Sequence, residues 1–267
     1  MGLLLMRLFA IVNTQPADTT DFHLARTLLE QYDNIKILTI SELAEKCAVS
    51  KSTLSKFVRQ IGFDDYQSMK EASGFEENRY DFHWNYLSNI VKPMQSKGPD
   101  FYFDAVLQDI ERLRTQLDYE KIDRLAADLV HYKKVATFGL LFSQNAALDF
   151  QEKLAYNNKI IYTAIDDMVQ EEYIRTADED TLIIIFSNSG LYISQNQLSK
   201  AHLPKRTFNK TKAKIVLITS DPDKIEHEAV DYGIVFEHTT SVQTHALLYQ
   251  LIMDLIVSRY RLLKKTD

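Results

Sequence analysis

Hydrophobic positions change their period part-way along the chain. In the first 75 or so residues they recur at helical spacing. Leu4, Leu5, Leu8, Phe9 and Val12 form one stripe, and Leu24, Leu28, Leu29 and Tyr32 form another. Thr39 stands three residues before Glu42 and just ahead of an apolar run. That pattern is a capping box, and it predicts a short helix with Leu43, Ala44 and Cys47 on its inner face. Val49 and Ser50 predict a tight turn with Ser50 capping a second helix. In that helix Leu54, Phe57, Val58 and Ile61 fall at i, i+3, i+4 and i+7, and Gly62 ends it.

Residues 76–103 read as a linker, punctuated by Pro93 and by Gly98-Pro99 yet rich in aromatics, among them Tyr80, Phe82, Trp84 and Tyr86. From Asp104 onward the pattern alternates. Amphipathic helices through Leu113 and Leu117 and through Ile122 to Leu129 precede short apolar runs at Val135–Gly139, Ile160–Ala164, Leu182–Phe186, Ile215–Thr219 and Tyr232–Phe236. Between and after these, helices are predicted over Ala146–Asn157, Met168–Ala177, Ile193–Ala201 and Val242–Leu263. Continuous apolar strands separated by helices mean a parallel sheet covered on both faces. The fold class is therefore α/β: an all-α helix-turn-helix domain over 1–75, the linker over 76–103, and a doubly wound parallel-sheet αβα sandwich over 104–267. Ligands of such a sandwich lie beyond the carboxyl ends of its strands.

Composition narrows the chemistry. The 267 residues include seven glycines, well below the usual ~7%, and neither G-x-G-x-x-G nor G-x-x-x-x-G-K-[ST] occurs, which argues against dinucleotide and P-loop sites. A single cysteine, Cys47, excludes an internal disulfide and an all-cysteine metal site, and it fits a core position in a reducing compartment. Leu3–Val12 is too short and too interrupted to span a bilayer, so a cytoplasmic protein is expected, with no membrane partner. The seven histidines show no metal-ligand spacing; no metal and no cofactor is expected. Net charge is −6, but basic and acidic residues nearly balance before Gly74, so the acidic excess belongs to the C-terminal part.

Opposite the apolar stripe of the second short helix stand Ser52, Ser55, Lys56 and Arg59, with Lys51 beside them, and Ser50 to Gly62 contains no acidic residue. Cations for phosphates and short polar side chains for close approach to base edges are what a helix in a major groove needs. The Ile40-Ser-Glu-Leu-Ala start, the Val49-Ser50-x-Ser-Thr elbow, Phe57, and the Ile61-Gly62-Phe63 end followed by Tyr66, Met69 and Lys70 resemble the RpiR (MurR/RpiR) family of bacterial transcriptional regulators. The resemblance implies that Lys51, Ser52, Thr53, Ser55, Lys56 and Arg59 belong to the operator-reading helix.

It also implies a C-terminal SIS (sugar isomerase) domain, which binds phosphosugars through two strand-to-helix loops. The second loop is Ser187-Asn188-Ser189-Gly190, where two hydroxyls, the N–H groups of a helix start and a glycine converge as a phosphate requires. Where the family places a further Thr, this chain has Tyr192. In the first loop, usually G-x-G-x-S, Gly139 and Ser143 are present, and Leu141 replaces the middle glycine. Lys200, Lys205, Arg206, Lys210, Lys212 and Lys214 concentrate in the following segment, as a solvated loop or as a substitute anion contact.

An isomerase of this fold needs a general acid/base pair, for which Glu152 and His245 are the candidates; neither lies in a recognisable motif. The expected function is a non-enzymatic, DNA-binding regulator of sugar or amino-sugar metabolism genes, controlled by a phosphorylated sugar. Its partners are double-stranded operator DNA, the phosphosugar and a second copy of the chain, as homodimer or homotetramer. The alternatives are a phosphosugar isomerase with an appended helical domain, and a regulator whose effector pocket is vestigial.

Overall fold

The apolar stripes of the N-terminal helices meet in one core. In the computed structural model, which describes residues 3–73, 87–195, 205–238 and 242–265, this part contains α1 (Leu3–Thr14), α2 (Thr20–Glu30), α3 (Ile40–Lys46), α4 (Lys51–Gln60) and α5 (Tyr66–Ala72). Leu4, Leu8, Leu24, Leu28, Leu43, Leu54, Phe57 and Val58 are all essentially buried in it. Each such side chain contributes about 1.5–3 kcal/mol by leaving water.

Local capping sets the ends of the two central helices. The Thr39 hydroxyl accepts the Glu42 N–H while the Glu42 carboxylate accepts the Thr39 N–H, the reciprocal pair predicted from sequence. Ser50 Oγ accepts the Thr53 N–H at 3.1 Å. Both helices then close with the same double hydrogen bond. After α3, Ala48 N–H donates to Glu45 O and Val49 N–H to Ala44 O; after α4, Gly62 N–H donates to Arg59 O and Phe63 N–H to Val58 O. The pivotal residue is left-handed in both, with φ 80° at Gly62 but φ 53° at Ala48, where a β-carbon must be tolerated. His23 Nε2, 2.9 Å from Cys47 O, holds the turn from α2. Burial of Cys47 pushes its thiol up to about 11, as for a core residue.

The chain divides into two compact units. Among the described residues the first takes in 3–73 with 165–169, and the second 87–164, 170–195, 205–238 and 242–265. Of the expected linker, residues 76–86 lie outside the described residues. The rest of it is helical: a π turn at Leu87–Val91, then α6 (Lys92–Lys97), and Gly98-Pro99 as the start of α7 (Pro99–Gln116). Pro99 stands at the first helical position, where its missing N–H is not needed, so the pair opens a helix instead of interrupting one.

The second unit continues with α8 (Tyr119–His131), β1 (Lys134–Phe138), α9 (Phe142–Ala155), α10 (Asp167–Thr176) from Gln170 onward, β2 (Thr181–Phe186), α11 (Leu191–Ser194), β3 (Lys214–Thr219), β4 (Tyr232–Val235) and α12 (His245–Lys264). The four strands are parallel in the order β1-β2-β3-β4. The fifth predicted strand, Ile160–Ala164, is reduced to one parallel bridge from Tyr162 to Ala136 at the outer edge of β1. Ile160 beside it is exposed, so little apolar burial holds a longer pairing there. With that edge counted, the chain leaves β1 in one direction and returns to β2 on the other side, a doubly wound order whose switch point lies between β1 and β2.

Side chains alternate between the two faces of the sheet. Leu182, Ile184 and Phe186 pack with Val216, Ile218 and Ile234 under α8, α9 and α12. Ile183 and Ile185 pack with Ala136, Phe138, Ile215 and Leu217 against Ile174 of α10 and Ile193 of α11.

Replacing Ala48 with glycine relieves the left-handed strain of the helix-turn-helix elbow. Ala48→Gly is expected to stabilise the protein by about 1 kcal/mol, read as a higher urea midpoint; an unchanged or lower midpoint contradicts this account of the turn.

Candidate nucleic-acid interface and effector loops

On α4 the inner face is closed by Leu54, Phe57 and Val58, which leaves Lys51, Ser52, Lys56 and Arg59 exposed on the outer face. Ser55 and Thr53 are half-buried between the two faces. The Thr53 hydroxyl is engaged by Ser50 Oγ at 2.9 Å, so part of its capacity belongs to the cap. Gln60 Nε2 donates to Asp21 Oδ2 at 2.6 Å, tying the end of α4 to α2, and Arg7 Nη1 donates to the Ile61 carbonyl at 2.6 Å. The result is a short basic helix whose two ends are fixed and whose outer face is free of acidic side chains.

In the second unit the loops after β1 and β2 open side by side, because those strands are paired from Lys134↔Thr181 to Phe138↔Ile185. Gly139 and Gly190 admit close neighbours: a β-carbon at Gly139 would lie 2.6 Å from the Ser143 backbone, and one at Gly190 would lie 2.4 Å from the Lys224 side chain. Leu141 takes φ 58°, ψ −121°, a conformation natural to the glycine that the resemblance expects there. The backbone shape of the first loop is thus kept without the residue that adopts it at no strain.

The second loop differs from its sequence reading. The N–H groups expected to be free at the start of α11 are accepted by the loop's own hydroxyls, Leu191 N–H by Ser189 Oγ at 3.5 Å and Tyr192 N–H by Ser187 Oγ at 3.4 Å. What the two serines retain for a ligand is their hydroxyl protons. The regular part of α11 ends at Ser194, and residues 196–204, with Lys200 and much of the predicted helix, lie outside the described residues. Ser143 is buried with its hydroxyl 3.4 Å from the Tyr249 hydroxyl. Asn188 Oδ1 lies 2.8 Å from His238 Nε2.

Tyr192 turns inward. Its hydroxyl donates to Gln170 Oε1 at 2.7 Å, and Gln170 Nε2 donates to Gly139 O at 3.1 Å and to Ala164 O at 2.7 Å. In place of a further ligand hydroxyl, the chain has a brace from the second loop to the first. Lys205 lies 3.8 Å above the Tyr192 ring and pairs with Glu171 at 3.2 Å, while Lys214 pairs with Asp128 at 2.7 Å. Arg206, Lys210 and Lys212 are exposed at the surface.

Of the acid/base candidates, Glu152 is exposed on α9, whereas His245 is buried and its Nδ1 has no hydrogen-bond partner among the described residues. Burial, with His238 nearby, pushes the His245 imidazole down to about 3. A histidine held neutral in that way is a poor shuttle for protons near neutrality. Sequence reasoning missed His238, Thr244, Gln170 and Asp109. The last had a readable signal: Ala105, Asp109 and Leu113 share one buried stripe of α7, and an acid on such a stripe needs a partner. Among the described residues no cluster of His, Cys, Asp and Glu fits a metal, and no helix is long and apolar enough to cross a membrane.

The helix-turn-helix domain profile of the rpiR family matches residues 11–81. Within the described residues the match takes in the end of α1 and all of α2 to α5. An HTH-type transcriptional regulator from the aarA 3′ region of Providencia stuartii is 27% identical over 259 residues, covering 93% of this chain and 88% of its own length. The HTH-type transcriptional regulator HexR of Pseudomonas aeruginosa is 25% identical over 191 residues, covering 68% of this chain and 62% of HexR. Among solved structures, the Vibrio vulnificus NanR protein complexed with ManNAc-6P is similar over 96% of this chain and 90% of NanR, with a TM-score of 0.51 at 16% identity. The likeness to the E. coli CFT073 protein c3406 covers 67% of this chain and 95% of that one, with a TM-score of 0.50 at 14% identity. At these identities the two structural likenesses are likenesses of fold.

The lowered His245 proton affinity has a pH signature. The unfolded chain binds this proton near 6.5 and the folded one near 3, so stability is complete above the unfolded value and falls as pH drops from there toward the folded one, by at most ~1.4 kcal/mol per pH unit. His245→Phe is expected to flatten that part of the stability-pH curve; an unchanged slope would place His245 in contact with water. Separately, Leu141→Gly is expected to stabilise the chain by about 1 kcal/mol through release of the positive φ, measured by thermal unfolding.

Proposed function

We propose that the protein is a non-enzymatic transcriptional regulator that reads operator DNA with α4 and is controlled by a phosphorylated sugar held between the loops after β1 and β2. The observation that carries the reading is the exposed Lys51, Ser52, Lys56 and Arg59 face on a doubly capped rpiR-family helix, in one chain with a sandwich whose switch point opens two glycine-bearing loops. HexR is named a regulator, and NanR was solved with a phosphosugar, which supports the same pairing of tasks here.

In this reading residues 1–75 bind DNA, 76–103 link, and 104–267 sense the effector and dimerise. Lys51, Lys56 and Arg59 meet phosphates and base edges, and Ser52, Thr53 and Ser55 allow close approach. Gly139, Ser143, Ser187, Asn188, Ser189 and Gly190 hold the effector, with the serine hydroxyls donating to its phosphate. A homodimer or homotetramer in the cytoplasm matches the two-fold symmetry of operator half-sites about 34 Å apart. The exposure of Glu152 and the burial of His245, which holds it neutral, support the non-enzymatic reading.

A gel shift with DNA from upstream of the gene tests the first half. Salt-sensitive, sequence-selective retardation is expected, and Lys56→Ala is expected to lower the log-log salt slope by about 0.9 if one phosphate contact is lost; absence of retardation overturns the DNA reading. Thermal-shift measurements with hexose, pentose and amino-sugar phosphates test the second. A true effector at one hundred times its Kd adds about 2.7 kcal/mol, and a flat response across the panel overturns the effector reading.

A further inference from the structure

A chain of polar side chains runs from the second loop into the helical layer. His238 Nε2 is 2.8 Å from Asn188 Oδ1, His238 Nδ1 is 2.8 Å from Thr244 Oγ1, and the Thr244 hydroxyl donates to Asp109 Oδ2 at 2.7 Å. The His238 and Asp109 side chains are 3% and 0% exposed, so water does not substitute for these partners. Thr244 stands immediately before α12, and His238 just beyond the carboxyl end of β4.

Counting protons along the chain constrains it. A threonine hydroxyl carries one hydrogen, and here Asp109 receives it. The Thr244 oxygen then serves His238 only as an acceptor, which places a hydrogen on Nδ1. At Nε2 two arrangements satisfy the contact with Asn188. With a second hydrogen there, the imidazolium donates to Asn188 Oδ1 and the Asn188 NH2 group is left for a ligand. Without it, Nε2 is an acceptor, the Asn188 amide must turn over to donate to it, and the carbonyl oxygen is left for the ligand instead.

We propose that His238 is a positioning residue whose proton decides whether Asn188 offers donors or an acceptor to the effector. This rests on the reading of Ser187–Gly190 as an effector loop. In the doubly protonated state the site favours an acceptor atom, such as a phosphate or carbonyl oxygen; in the singly protonated state it favours a hydroxyl or amine donor. Among the described residues, the groups facing His238 include Asp109 from α7, 3.9 Å from Nδ1, and His245 from α12, with ring centroids 5.8 Å apart. From its own strand end, Phe236 packs on its ring, and Glu237 is paired with Arg112 of α7 at 2.9 Å. Asp109 supplies the negative charge that compensates the second proton, and His245, held neutral by burial, adds none near neutrality.

The test follows the Asn188 side-chain amide by NMR in the full chain with labelled Asn and His, between about pH 5 and 9. The Asn188 NH2 resonances are expected to shift with the same midpoint as the His238 ring. Thr244→Val keeps the shape but removes the acceptor that fixes Nδ1, and it is expected to abolish the Asn188 step; Thr244→Ser is expected to retain it. An Asn188 amide unmoved over the whole range, or a Thr244→Val variant that behaves as wild type, overturns the proposal. In a parallel series, any sugar phosphate of the thermal-shift panel that binds is expected to change affinity roughly tenfold across the same step in wild type but not in Thr244→Val. The phosphate's own ionisation, near pH 6, enters both curves alike. If no member of the panel binds, the effector reading of the loops falls, while the Asn188 titration still decides the relay.

Discussion

The pairing of β1 with β2 is the constraint from which the second unit follows. These neighbours are parallel and in register from Lys134↔Thr181 to Phe138↔Ile185, yet the chain between them first runs out to the Tyr162 bridge at the far edge of β1. Two crossovers that leave in opposite directions cannot both cover the gap between their strands. The loops at Gly139–Ser143 and Ser187–Gly190 therefore face a common opening. Every residue of β2 is buried because helices pack on both faces, and this rigid centre is what lets the short loops keep their shape.

Around that opening the polar groups mostly satisfy one another. The serines cap α11, Tyr192 braces the loops through Gln170, and Asn188 is held by His238. Internal satisfaction of this kind holds the two loops in shape. Leu141 shows the same economy from the other side, since the packing of the first loop maintains a glycine-like backbone without the glycine.

The N-terminal unit relies on a different device. Its two central helices are short, and helices of that length do not persist alone in water. The reciprocal cap at Thr39, the Ser50 cap, the paired closures at Ala48 and Gly62 and the apolar inner face together fix the angle at which α4 leaves the turn. The basic face inherits its direction from these contacts.

Much of this was legible along the chain. The change of hydrophobic period separated a helical part from an α/β part, the Thr39 and Ser50 signals placed both helix starts, and the charge on α4 follows from amphipathicity once Leu54, Phe57 and Val58 are inside. These features are local, set by spacings within one or two turns. Four of the five apolar runs pair as strands; the fifth, at Tyr162, fails beyond one residue because pairing depends on an edge that periodicity does not describe. The inward turn of Tyr192, the engagement of its N–H by Ser187, and the line from Asp109 through Thr244 and His238 to Asn188 join residues as far as 135 positions apart. No spacing rule links such residues. The sequence determined the elements and the residue types at the strand ends; the tertiary structure decided which of those groups are free and which already hold one another, because burial requires each polar atom to find a partner wherever the fold brings one within reach.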